Sequence, residues 1–160
     1  MPDPTNVVAC NLTDDPTALA KALPTQLDDI IRQHRDIAHC HLSTAEEINQ
    51  ILKTLPDSAY PEITGELTDW RLITYRAAPP GVTPATHIHL LGYKGVESWI
   101  TSPIHSLDLG TRLAITASGS VYRMLGERGQ GEPPLNHLLQ VCGAFWKWGR
   151  GETLGVLHVF

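Results

Sequence analysis

Trp70-Arg71-Leu72-Ile73-Thr74-Tyr75-Arg76-Ala77, then Pro79-Pro80-Gly81, then Thr86-His87-Ile88-His89-Leu90-Leu91-Gly92-Tyr93: this stretch decides the fold. Its two flanking runs are rich in β-branched and aromatic residues and are divided by a turn signal, so each reads as a strand. The pattern repeats downstream. Ser98–Ile104, Arg112–Ala117 and Ser120–Leu125 are short runs of the same kind, separated by Lys94-Gly95, Asp108-Leu109-Gly110 and Ser118-Gly119. Connections this short join antiparallel neighbours, because a parallel crossover needs a dozen or more residues. A β-meander is therefore expected.

Upstream the character changes. Asp15-Pro16 sets a capping carboxylate before a proline and opens a short Thr17–Leu23 helix. Leu27, Ile30, Ile31, His34 and Ala38 recur on one helical face. Ser43-Thr44-Ala45-Glu46 has the capping-box pattern, and Ile48, Ile51, Leu52 and Leu55 continue one face until Pro56. Downstream, Gly126–Glu132 is a glycine-rich loop and Pro133-Pro134 opens another helix. Its core face is Leu135, Leu138, Leu139, Cys142, Phe145 and Trp146, flanked by a second stripe of His137, Val141, Ala144 and Trp148. Gly149-Arg150-Gly151 stops it, and Leu154–Phe160 reads as a last strand. The expected fold is α+β in a single domain over 1–160. Residues 1–56 are helical, 57–69 connect, and 70–160 form an antiparallel sheet of five to six strands with one late helix.

The chain has 160 residues, which favours one domain, and 42% hydrophobic residues suffice for one core. Its formal charge is −5, and its twelve dispersed Lys and Arg form no patch for a phosphate backbone, so direct nucleic-acid binding is not expected. Met1-Pro2-Asp3-Pro4-Thr5-Asn6 has neither the basic nor the apolar region of a signal peptide, and no apolar run approaches the ~20 residues that span a bilayer. Cys10, Cys40 and Cys142 are odd in number and widely spread, which points to a reduced cytoplasmic setting and not to a disulfide framework.

Chemistry concentrates in two histidine groups, His39-Cys40-His41 and His87-Ile88-His89. Side chains alternate along a strand, so His87 and His89 should share one face about 7 Å apart. Such a pair suits zinc or another divalent transition metal, for which His39, His41, Cys40 and His105 are third-ligand candidates. It also suits metal-free acid–base work, with His87, His89 and His41 as the catalytic candidates. His41-Leu42-Ser43 resembles the His-hydrophobic-Ser/Thr element of two-histidine phosphoesterases, over three residues only. His87-Ile88-His89 lacks the hydroxyl of a second such element, and Ser43 also reads as a helix cap.

Other motifs are weaker. Ser118-Gly119-Ser120 is not a nucleophile elbow. Gly126-Glu127-Arg128-Gly129-Gln130-Gly131 lacks the Gly-Lys-Ser/Thr ending of a phosphate loop, and the two prolines that follow remove amides an anion would need. Cys142 falls on a core face and reads as a small hydrophobe. The combination of Ser-Gly-Ser-Val-Tyr-Arg at 118–123 with Gly-Glu-Pro-Pro at 131–134 and Trp-Gly-x-Gly at 148–151 resembles small bacterial proteins, a likeness that carries no activity.

Trp146 and Trp148 point to different faces of one helix. If one is core, the other is covered by a second layer or forms an exposed anchor for a partner. The partner-binding candidates are Trp148, Val141, His137 and the terminal Phe160. The favoured reading is a small non-enzymatic interaction protein (an inhibitor, immunity protein or accessory subunit) that docks onto a larger protein or a homodimer mate. It needs no cofactor. The alternative is a small metal-dependent or two-histidine hydrolase built on His87 and His89.

Overall fold

The computed structural model describes residues 22–55 and 62–158. In chain order its elements are β1 (Ala38–Leu42), α1 (Ala45–Asn49), β2 (Gly65–Ala77), β3 (Ala85–Lys94), β4 (Glu97–Ile100), β5 (Ile104–Asp108), β6 (Leu113–Thr116), β7 (Val121–Met124) and α2 (Leu135–Lys147). The fold is α+β, but its sheet is mixed and has seven strands, in the order β4-β3-β2-β7-β6-β5 with β1 also on β2.

The reason is the length of β2. One edge pairs antiparallel with β3. The other edge is shared: Ile73–Ala77 pair antiparallel with β1, while Gly65–Leu67 pair with Tyr122–Met124 of β7 in parallel. A meander would have left those first residues of β2 unpaired, and an open edge invites association. The gap between β1 and β7 is also closed. Gly129 N–H donates to Trp70 O at 2.8 Å, Ser43 N–H to Leu72 O at 2.9 Å and Leu125 N–H to Leu67 O at 2.8 Å. The glycine-rich loop thus satisfies backbone groups at the edge of β2.

The largest correction concerns the first third. Leu27, Ile30 and Ile31 are buried, as one helical face requires. Yet between Leu27 and Ala38 the helical geometry is limited to a 3-10 turn at Leu27–Asp29. His34 takes a left-handed φ of 60°, and both Arg32 and Gln33 donate their N–H to Leu154 O, so the helical path ends. Ala38–Leu42 then pairs with β2 as a strand. Ladder bonds to an open edge outweigh a weak local propensity. The capping box sits one residue later than expected, with Thr44 and Glu47 satisfying each other. Helix α1 stops at Asn49, and Ile51 O and Lys53 N–H bond to Leu107 instead, covering the outer edge of β5. Most of the expected Thr17–Leu23 helix lies outside the described residues. Expected Ser98–Ile104 splits into β4 and β5 around Thr101–Pro103, and Leu154–His158 form no strand. Among the described residues no helix is long and apolar enough to cross a membrane.

Strands β2 and β3 are buried on both faces. One face, with Ile73, Tyr75 and Leu91, packs under α2 with Leu138, Val141, Cys142 and Phe145. The opposite face, with Leu72, Ile88 and Leu90, packs on Leu107, Ala114, Tyr122 and Met124 from β5, β6 and β7. Each side chain's parity along β2 and β3 therefore decides which of two environments it meets.

Candidate functional site

His87 lies opposite Tyr75 and His89 opposite Ile73, so both imidazoles are on the α2 face. Their ring centres are 6.5 Å apart, and the planes are tilted by 56°. His89 is only 3% exposed. Its Nδ1 lies 2.9 Å from Thr101 O, and a carbonyl only accepts, so Nδ1 carries the hydrogen and Nε2 the lone pair. Burial pushes the His89 pKa down to about 4, against the Thr101 hydrogen bond, and the nearby His87 lowers it further. His89 is therefore neutral at pH 7.

The cover over His89 comes from the end of α2. Trp148 stacks on it at 4.6 Å and 21°, and meets Phe145 edge-on at 5.4 Å. The helix ends as a Schellman motif: Gly149 takes a φ of 81°, its N–H donates to Trp146 O at 3.0 Å, and Arg150 N–H donates to Phe145 O at 2.9 Å. That reversal brings the Arg150 guanidinium over the Tyr75 ring at 5.6 Å. Trp146 turns the other way, donating from Nε1 to Val156 O at 3.0 Å. A Cβ at position 151 would fall 2.4 Å from the Trp146 ring, so only glycine fits there. Tyr75, His87, His89, Pro103, Trp148 and Arg150 enclose a cleft of about 260 Å³. On the other side of Trp148 a cleft of about 540 Å³ runs between β4 and α2, lined by Trp99, Thr101, Leu139, Gly143, Trp146 and Lys147 among others.

The other histidines do not join this pair. His41 lies opposite Thr74, on the far face of the sheet. There its Nε2 is 3.1 Å from both Glu47 carboxylate oxygens, and Thr74 Oγ1 donates to Glu47 Oε1 at 3.0 Å. His39, on the same side as His41, is exposed, and Cys40 is buried beneath α2, where burial pushes its thiol up. His105 is exposed on β5 with Nδ1 2.8 Å from Ser106 Oγ. Among the described residues no three His, Cys, Asp or Glu side chains come together so as to hold a metal ion. Among the described residues, His87 and His89 thus stand as a two-imidazole donor set, one short of the three protein ligands that catalytic zinc usually takes.

Of the partner-binding candidates, His137 and Val141 are both fully buried at 0% exposure, because α2 is covered on two sides. Trp148 keeps partial exposure between the two clefts, and Phe160 lies outside the described residues. The spacing arguments missed Arg150, whose position follows from a helix-ending motif, and Tyr75, which the register brings beside His87. No family model, curated protein or solved structure matches the chain.

Proposed function

We propose that this chain is an interaction protein that docks onto a larger protein through the Trp148 end of α2, taking an acidic segment with an aromatic anchor. The observation that carries the reading is the pair of clefts sharing the half-buried Trp148. The smaller, at about 260 Å³, is below the ~300–1,000 Å³ usual for a whole small-molecule ligand and suits one inserted side chain. Four of its six lining residues carry aromatic rings, which favours an aromatic anchor. Charge supplies the rest. In a chain of net −5 the described lining residues of both clefts include Lys147 and Arg150 and no carboxylate. An acidic partner is drawn to such a rim.

The test is a selection of displayed random dodecapeptides on the wild-type chain, with counter-selection on Trp148→Ala and on Lys147→Glu/Arg150→Glu. Recovered peptides should combine Asp or Glu with Trp, Phe or Tyr and bind either variant at least about tenfold more weakly, a loss near 1.4 kcal/mol. Peptides that bind the variants equally well, or no enrichment, would refute the reading.

A second reading, a small two-histidine hydrolase, rests on the His89 Nε2 lone pair beside His87. It predicts that His89→Gln abolishes turnover of a substrate while leaving the fold intact. Zinc content of untagged protein, compared with His87→Ala/His89→Ala, tests its metal-dependent form.

A further inference from the structure

His137 is an anomaly at the other end of α2, eleven residues and roughly 16 Å along the helix from Trp148. Its ring is fully buried and packs on Tyr93, centres 4.2 Å apart. Nδ1 is 2.8 Å from Ser98 Oγ on β4. Nε2 is buried without a hydrogen-bond partner and stands 3.9 Å from Asp69 Oδ2. A buried unsatisfied nitrogen costs about 1–3 kcal/mol, and native structures rarely keep one without a reason.

One tautomer accounts for every contact. If the Ser98 hydroxyl donates to Nδ1, the ring hydrogen is on Nε2, which faces the Asp69 carboxylate. A movement of about 1 Å by the partly exposed Asp69 side chain makes that approach an ordinary N–H···O bond. Desolvation holds the imidazole below its usual pKa, against the pull of Asp69, so it is a neutral acceptor at pH 7. Asp69 is held in turn. Arg71, only 5% exposed, reaches Asp69 Oδ2 with Nη1 at 3.1 Å, and is anchored on Gln130 O at 2.8 Å and Gly131 O at 3.0 Å. A Cβ at position 129 would lie 2.5 Å from that guanidinium and 2.7 Å from Asp69 Oδ1. Glycine at 129 lets the loop seat both groups.

Hydroxyl, imidazole and carboxylate therefore stand in the order of a hydrolytic triad, built from β4, α2 and the bulge of β2. We propose that Ser98 is a nucleophile for ester substrates, with His137 as its base and Asp69 as the positioning residue. Ser98 Oγ bonds to the ester carbonyl carbon while its proton passes to His137 Nδ1, and Asp69 stabilises the imidazolium through Nε2–H. The proton then leaves with the alcohol as the C–O bond breaks. Water then enters from the half-buried Ser98 side, where the departed alcohol leaves His137 Nδ1 uncovered to take its proton, and adds to the acyl-serine; the carboxylic acid departs as Ser98 recovers its proton.

A fluorophosphonate probe reads the first step directly: the Ser98 Oγ–P bond forms, fluoride leaves and His137 takes the proton. On the full chain, peptide mass mapping should find one adduct, on Ser98. His137→Gln should slow labelling by about 10²-fold or more, the usual contribution of a general base. Asp69→Asn should lower the maximal labelling rate and leave the half-saturating probe concentration unchanged, which loss of packing alone would not do. Since Ser98→Ala strands a buried imidazole, Ser98→Cys provides the second measurement. Its thiol at position 98 should be alkylated by iodoacetamide about tenfold faster than that of Ser98→Cys/His137→Gln. An adduct elsewhere, no adduct, or rates at position 98 indifferent to His137→Gln would each overturn the proposal.

Discussion

The chain carries the pattern His-x-His twice, in β1 and in β3, and the two copies flank the same strand. His39-Cys40-His41 pairs with one edge of β2 and His87-Ile88-His89 with the other. Their fates are opposite. In β1 it is Cys40 that aligns with Tyr75, so the histidines face away from α2; in β3 it is His87, so the histidines face towards it. One residue of register sends a strand's whole side-chain set to the other face. In β3, His89 ends under Trp148 in a nearly dry site, whereas His41 meets Glu47 near water at 37% side-chain exposure. Motif identity says nothing about environment here, while parity against β2 says nearly everything.

The sharpest way to break that contrast is acid. His89 has a pKa near 4 when folded against an ordinary 6.5, so the unfolded chain takes up its proton first. Stability from this group is complete above about pH 6.5, falls as pH drops, and is gone below about 4, a loss of about 3 kcal/mol. Buried His137 acts in the same direction, so the measurement is a difference: urea unfolding of wild type and His89→Gln from pH 4 to 7. The gap in stability between them should change by about that amount across the window. Parallel curves would mean that His89 is not held neutral by burial.

Trp148→Ala comes next in size. It removes the indole stacked on His89, with an expected loss of about 2 kcal/mol for a half-buried tryptophan. The same change rehydrates the ring, so the His89 titration followed by NMR should move up from about 4 towards 6.5. A titration that stays in place would show that other groups supply the dry environment.

Much of the β2–β3 unit was legible. Its β-branched runs, the Pro79-Pro80-Gly81 break and the strand period predict the shared face of His87 and His89. The near-ideal spacing of Leu135 to Phe145 likewise predicts α2. The failures have physical causes. Leu27, Ile30 and Ile31 satisfy a helical face with one turn and a bend, and nothing local reveals that His34 adopts a left-handed conformation. Ala38–Leu42 has modest strand propensity and becomes a strand because β2 offers it an edge. The mixed topology depends on β2 outlasting β1, which is a property of two distant segments. Asp69, Ser98 and His137 are unreadable as a set for the same reason. Pairing, a bulge and a helix docking bring them together, and no spacing along the chain encodes it.

The smallest effect belongs to the exposed side of the contrast. Burial pushes the Glu47 carboxyl up, but hydrogen bonds from Thr44 N–H, His41 and Thr74 outweigh it and hold the group below the usual glutamate range. A depressed carboxylate contributes stability above its unfolded pKa, and that stability is lost as pH falls through the folded value. Glu47 therefore weakens the fold only in acid below the range where His89 starts to act. Near neutral pH the His41–Glu47 pair is half in water, where Coulomb energy is screened and two side chains must be ordered. A double-mutant cycle of His41→Ala and Glu47→Gln at pH 7 should give a coupling of about 0.2–1 kcal/mol, shrinking in 0.5 M salt. A coupling of 2 kcal/mol or more would place His41 in an environment as dry as that of His89, and the parity argument would then fail.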